Sequence, residues 1–198
     1  MIKNLLSKLD SVVYVQIWEN RIKVTDIRTS EVYDEVPLLA IEENKKGQKI
    51  VVAVGNDVKA LSSTSTTEII NPFSHPRGLL NDFLVAEKIL QHVFHLLLGK
   101  KFISPSPIVV IHPMEKVEGG ITAIERKAFT EMALGAGARE AVVHQGMALS
   151  ASSFDYKQIK EASEKNVPSH IELKPKKENY FVLFFWVAIL GAVLWFSN

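Results

Sequence analysis

Cysteine is absent from this 198-residue chain, which excludes disulfide staples, zinc knuckles, thiolate nucleophiles and iron–sulfur clusters. A fold held by its core alone is compatible with a reducing compartment. An excess of charge of either sign is also missing. With 23 Lys+Arg against 22 Asp+Glu, no net charge is available to drive binding to nucleic acid. Neither a G-x-x-x-x-G-K-[ST] phosphate loop nor a G-x-S-x-G nucleophile elbow occurs. There is no fixed-period repeat. The one low-complexity stretch, Ser62 to Thr67, reads as a surface loop. Apolar residues are plentiful at 47%, enough for a core of one ordinary domain and too many for a disordered tail.

The apolar residues are unevenly placed. From Tyr180 to Phe196 the chain runs for 17 residues without a formal charge, at the short end of what a membrane-crossing helix needs. Tyr180, Phe181, Phe184, Trp186, Leu190, Leu194, Trp195 and Phe196 give it an aromatic and aliphatic surface, with amphipathic rings at both ends. A buried core helix is the alternative, but such helices rarely lack a polar face. Lys174, Lys176 and Lys177 precede the run, diluted by Glu172 and Glu178, and favour a cytoplasmic N-terminal part. The expectation is a single pass through a membrane, with the N-terminal part on the cytoplasmic side. Ile2, Leu5, Leu6 and Leu9 share one helical face at the start of the chain, opposite Lys3 and Lys8. That face suits a membrane surface or packing on the domain equally well.

Between these ends the sequence alternates strand and helix signals. Val13, Val15 and Ile17 alternate with Tyr14, Gln16 and Trp18, and after the turn Glu19-Asn20-Arg21 the alternation resumes at Ile22 and Val24, predicting a hairpin. A second pair is expected at Leu38–Glu42 and Ile50–Val54, joined by Asn44 to Gly47. After the break at Pro72 to Pro76, Leu79, Phe83, Leu90, Phe94 and Leu97 recur at helical spacing until Gly99. Ile108 to Ile111 is a short apolar run, the mark of a strand buried on both faces. Thr122 and Glu125 form a capping box ahead of a stripe at Ile124, Ala128 and Met132. Ala141 to Val143 makes a last strand, and from Lys157 a charged segment reads as a short helix and then linker, broken at Pro168 and Pro175. Hairpins first and strand–helix–strand later indicate an α/β domain.

Four colinear stretches resemble the bacterial actin-like rod-shape family MreB: VAVGNDVKAL (52–61), GLLNDFLVAEKILQHVF (78–94), SPSPIVVIHP (104–113) and IERKAFTEMALGAGARE (124–140). The resemblance extends over about residues 1–150. It implies a single truncated actin-like (ribonuclease H-like) lobe over 1–154, with a mixed sheet, flanking helices and a small inserted subdomain near 33–70. A charged linker over 155–179 and the membrane helix at 180–196 would follow. Complete members close a nucleotide between two lobes, and this sequence has no residues to match the second.

The resemblance also locates where the chemistry should be. The family's first phosphate loop carries a D-x-G-T pattern at the first hairpin turn, where Gln16, Trp18 and Glu19 stand here. An amide is a poor ligand for magnesium, an indole fills space that phosphate needs, and a carboxylate repels it. His144 and Gln145 occupy the region of the family's water-positioning glutamate, and no Asp or Glu occurs from Ala141 to Phe154. A short insertion over 115–121 reads as a surface loop. His92 and His95 have a spacing that could present two metal ligands, against a solvated helix face as the plain alternative, and His112 ends a core strand. The expectation is therefore not an enzyme and takes no cofactor. It is a membrane-anchored, catalytically inactive adaptor or structural subunit docking a protein partner, with inner-membrane lipid around it, no nucleic acid, and a homodimer open. The alternative is the nucleotide-binding half of a split actin-like ATPase, completed by a partner chain.

Overall fold

The computed structural model describes residues 11–61, 67–99, 106–150 and 154–165. The expected membrane span at 180–196, Lys174, Lys176 and Lys177 before it, and the amphipathic start at 1–9 lie outside the described residues. Among the described residues no helix is long and apolar enough to cross a membrane.

Two antiparallel turns open the fold. β1 (Val12–Ile17), β2 (Ile22–Asp26) and β3 (Val32–Glu35) form a meander, with Trp18 N–H donating to the Arg21 carbonyl at 2.9 Å to close the first turn. The second turn is built on Asp26, whose buried carboxylate accepts from the N–H groups of Arg28 and Thr29 and from the Ser11 hydroxyl. An Asx-type turn of this kind satisfies backbone groups that a tight reversal strands. β4 (Leu39–Glu43), β5 (Lys49–Val54) and β6 (Thr67–Ile70) form a separate antiparallel sheet in the order β5-β4-β6, with a bulge at Ala40/Ile41. A 3-10 turn over Gly55–Ala60 follows β5.

The helices and the last strands complete a mixed five-stranded sheet. α1 (Phe83–Leu98) is capped by Asp82, whose carboxylate accepts from the Val85 N–H at 3.0 Å. It therefore starts four residues later than the apolar spacing from Leu79 suggests, and Leu79 packs into the core from the preceding loop. β7 (Ile108–Pro113) and β8 (Glu140–Val143) are parallel to β1, giving the order β3-β2-β1-β7-β8. α2 (Ala123–Gly135) begins at the capping box, with Thr122 and Glu125 satisfying each other's backbone N–H. Its buried face runs through Phe129, Met132 and Ala133. Ile124, expected in the stripe, is 82% exposed, because the face turned to the sheet is the one carrying Arg126, Phe129 and Met132, and Ile124 lies off it.

α1 and α2 cover one face of the main sheet, and the core there is continuous with the small sheet through Leu39, Val54, Tyr33 and Phe73. α3 (Tyr156–Lys165) packs on the opposite face, burying Ile159 against Tyr14, Val110 and Val142. The short helix read from Lys157 is present, and it is seated on the lobe rather than belonging to a linker that begins at 155. The reason is that β1, β7 and β8 are apolar on both faces, so the second face also requires a cover. Two strands were not foreseen. β3 belongs to the main sheet rather than to an insert, and β6 begins at Thr67, the end of the stretch read as loop. Both are four-residue strands, too short for alternation to register.

Candidate functional site

The parallel strands β1, β7 and β8 end side by side, and their registers decide which side chains meet. Gln16 pairs with His112, and Ile111 pairs with Val143, which places His112 and His144 on neighbouring strand ends. In parallel sheets the carboxyl edge is where ligands are commonly bound. The structure thus brings together Gln16 and His144, read from the sequence as degenerate site positions, with His112 between them.

His112 is the centre of this corner. It is 1% exposed, and its ring meets the His144 ring edge-on with centroids 4.6 Å apart. Nε2 lies 3.1 Å from the Gly146 carbonyl, which can only accept, so Nε2 carries the proton and donates. Nδ1 then accepts from the Tyr14 hydroxyl at 2.6 Å, and that hydroxyl in turn accepts from the Leu149 N–H at 3.2 Å. Both ring nitrogens are engaged in the neutral form. Burial, reinforced by His144, lowers the His112 pKa to about 4. Burial likewise raises the Tyr14 phenol. His144 Nε2 meets the Met147 carbonyl at 3.0 Å, so the segment 144–149 is folded back over the strand ends by three side-chain contacts.

The first hairpin turn forms the other wall. Trp18 lies partly exposed with the Arg21 guanidinium 5.0 Å from its ring, a cation–π contact, while Arg21 also forks onto Asp34. The Glu19 N–H donates to the Glu115 carboxylate at 2.7 Å. The Glu19 carboxylate pairs with Lys116 at 2.8 Å, and Lys116 also donates to the His75 carbonyl at 2.6 Å. Asn71 donates to the Glu19 carbonyl at 2.9 Å. The stretch beginning at 115, read as an inserted surface loop, therefore clamps the hairpin turn at its first two residues. Gln16, beside it, directs its amide to the Met114 sulfur at 3.8 Å.

A magnesium–nucleotide would need hard oxygen ligands and free backbone N–H groups at this turn. The corner instead offers an amide, two imidazoles and a phenol. The two nearest carboxylates are occupied, one by a lysine and one by the N–H that a phosphate would approach. The residues present do not fit that group. Gln145 stands beside Gly120 rather than among the strand-end groups. Tyr14, Glu115 and Lys116 were missed from the sequence, since Tyr14 reads as strand alternation and the other two as ordinary loop charge. His92 and His95 are exposed on α1, and among the described residues no three His, Cys, Asp or Glu side chains cluster as metal ligands. Glu87 and Gln91 on the same helix tie α1 to α2, with the Gln91 amide donating to the Glu87 carboxylate and to the Gly135 carbonyl.

Comparison with known proteins agrees with this architecture. The MreB/Mbl protein family profile matches residues 21–163. The cell shape-determining protein MreB of Pasteurella multocida is 36% identical over 110 residues, which are 55% of this chain and 30% of that protein. MreB of Escherichia coli K12 is 37% identical over the same extent of both. The chain thus spans about a third of the length of the curated relatives it matches. Among solved structures, Spiroplasma citri MreB 5 bound to AMPPNP superposes with a TM-score of 0.54 at 19% identity, over 68% of this chain and 38% of that one. A non-polymerising MamK mutant bound to AMPPNP gives 0.52 at 15% identity, over 68% and 40%. The matched residues run from Arg21, at the end of the first hairpin turn, into α3 and include His112, Glu115, Lys116 and His144, and on that match the chain belongs to the MreB/Mbl family.

Proposed function

We propose that this chain is a catalytically inactive member of its family that docks a protein partner at the bacterial inner membrane. The observation carrying this reading is the Glu115 carboxylate seated on the Glu19 N–H, an internal anion where a phosphate would otherwise be received. Gln16 in place of an anionic metal ligand and the neutral, doubly engaged His112 support it. The anchor in this reading is the uncharged run from Tyr180 to Phe196, with Lys174, Lys176 and Lys177 keeping the lobe on the cytoplasmic side. Held at a surface, even a weak contact with a partner becomes effective through raised local concentration.

The test is isothermal calorimetry of the full chain in detergent with ATP and magnesium, run beside a membrane-flotation assay. Absence of heat at millimolar nucleotide, with the chain floating with vesicles, is expected. Micromolar binding by the chain alone would sink the inactive reading. Binding that appears only when a co-purified partner is added would favour the split-ATPase alternative.

A further inference from the structure

The histidine corner and α3 are tied together through Tyr14. Its ring lies on the second face of the main sheet, clustered with Val110, Val142 and Ile159 of α3. Phe154 meets that ring edge-on with centroids 5.7 Å apart. The Tyr14 hydroxyl reaches the strand ends, donating to His112 Nδ1 at 2.6 Å and accepting from the Leu149 N–H at 3.2 Å. Leu149 packs against the same cluster, and the chain passes from it to α3 through the short stretch 150–155. A second tie runs through Val143, the residue before His144. Its carbonyl accepts from Arg126 Nη1 and from the Ser163 hydroxyl of α3, both at 2.9 Å. Whatever moves α3 therefore acts on both ends of segment 144–149.

The seat of α3 also carries a cost. Arg126 is only 9% exposed, and its Nε is buried without a hydrogen-bond partner. Among the described residues no carboxylate compensates this guanidinium, and burial lowers its pKa. A cation taken out of water without an anion is unfavourable beyond what neutral hydrogen bonds return. Ser163 lies 3.2 Å from Nη1, so α3 contributes to that burial, and lifting the helix returns the charge to water. In favour of seating stands Ile159, the buried residue of α3. The Lys160–Glu140 pair is exposed enough to contribute little.

We infer that α3 is a strap close to balance between seated and released positions, and that its release frees segment 144–149 and opens the histidine corner. Tyr14 couples the two events. When α3 lifts, the ring loses its cover, and the hydroxyl is no longer held in place for His112 and Leu149. The device does not depend on whether the corner receives a nucleotide.

The test is amide exchange and histidine titration by NMR on the full chain in detergent, comparing the parent with Arg126→Met and Ile159→Asp. Methionine keeps the apolar stem, and the Val143 carbonyl retains its bond from Ser163. Arg126→Met should therefore slow exchange through 156–165 and at the Leu149 amide together, by roughly tenfold. A side chain that only pins α3 would speed exchange when removed. Ile159→Asp should release the strap. Residues 156–165 and Leu149 should then exchange roughly tenfold faster or more, and His112 should titrate upward from about 4 toward 6.5, with α1 still protected. Unchanged or faster exchange in Arg126→Met overturns the inference. So does a released α3 that leaves Leu149 and His112 as they were, or a loss of protection in α1 together with α3.

Discussion

Residue by residue, the corner is set by hydrogen bonds that admit one protonation state. The His112 pKa drops to about 4 on burial, from an ordinary value of 6.5. Below pH 6.5 the unfolded chain takes up a proton that the folded chain refuses. Stability is therefore complete above that pH and declines as pH falls toward 4, by on the order of 3 kcal/mol in all. Urea unfolding at pH 7.5 and at pH 4.5 should show the loss, and His112→Gln should remove most of the difference. An unchanged pH dependence in that variant would assign the loss to other groups. Gly55 has φ +68, and a Cβ there would run into the Glu35 carboxylate and the Tyr33 hydroxyl. Gly55→Ala should cost roughly 2 kcal/mol from left-handed strain alone, read as a lowered denaturation midpoint.

The elements differ in what holds them. α2 begins with a complete capping box, so Thr122→Ala should destabilise the protein by about 1 kcal/mol while leaving the fold intact. α3 is attached differently. Ile159 is its buried residue, assisted by Lys160 with Glu140 at one end and Ser163 with Arg126 at the other. Ser163 also donates to the Val143 carbonyl, the same acceptor that Arg126 uses. Ile159→Ala should remove about 2–4 kcal/mol of packing. The consequence should be local. Hydrogen exchange should quicken through 156–165 and leave α1 and α2 protected. Equal quickening in α1 would mean that α3 is an integral part of the core.

For the molecule as a whole, the continuity of the core matters most. Phe73 is fully buried and belongs to the same cluster as Leu39 and Val54 of the small sheet, Val109 of the main sheet and Ile89 of α1. Phe73→Ala should cost about 3–5 kcal/mol and lower a single unfolding transition shared by both sheets. Two resolved transitions in the parent protein would instead show that the small sheet folds as its own unit. The balanced charge of the chain, +1 overall, gives no field to steer a charged ligand.

The sequence by itself determined the local structure. The first hairpin, the Asn44–Gly47 turn and the capping box are set by contacts between residues close along the chain, which leave periodicity and turn residues to read, and β7 shows itself by its unbroken apolar run. The resemblance singled out Gln16, Trp18, Glu19 and His144 as positions to examine. Only the tertiary structure decided what those positions contact. The bond from Tyr14 to His112 spans 98 residues of sequence, and that from the Glu19 N–H to Glu115 spans 96. No local pattern announces such pairs, since they exist only once parallel strands bring distant segments to one edge. The same holds for the seat of α3: a short helix was legible, but only a two-faced sheet gives Ile159 something to cover.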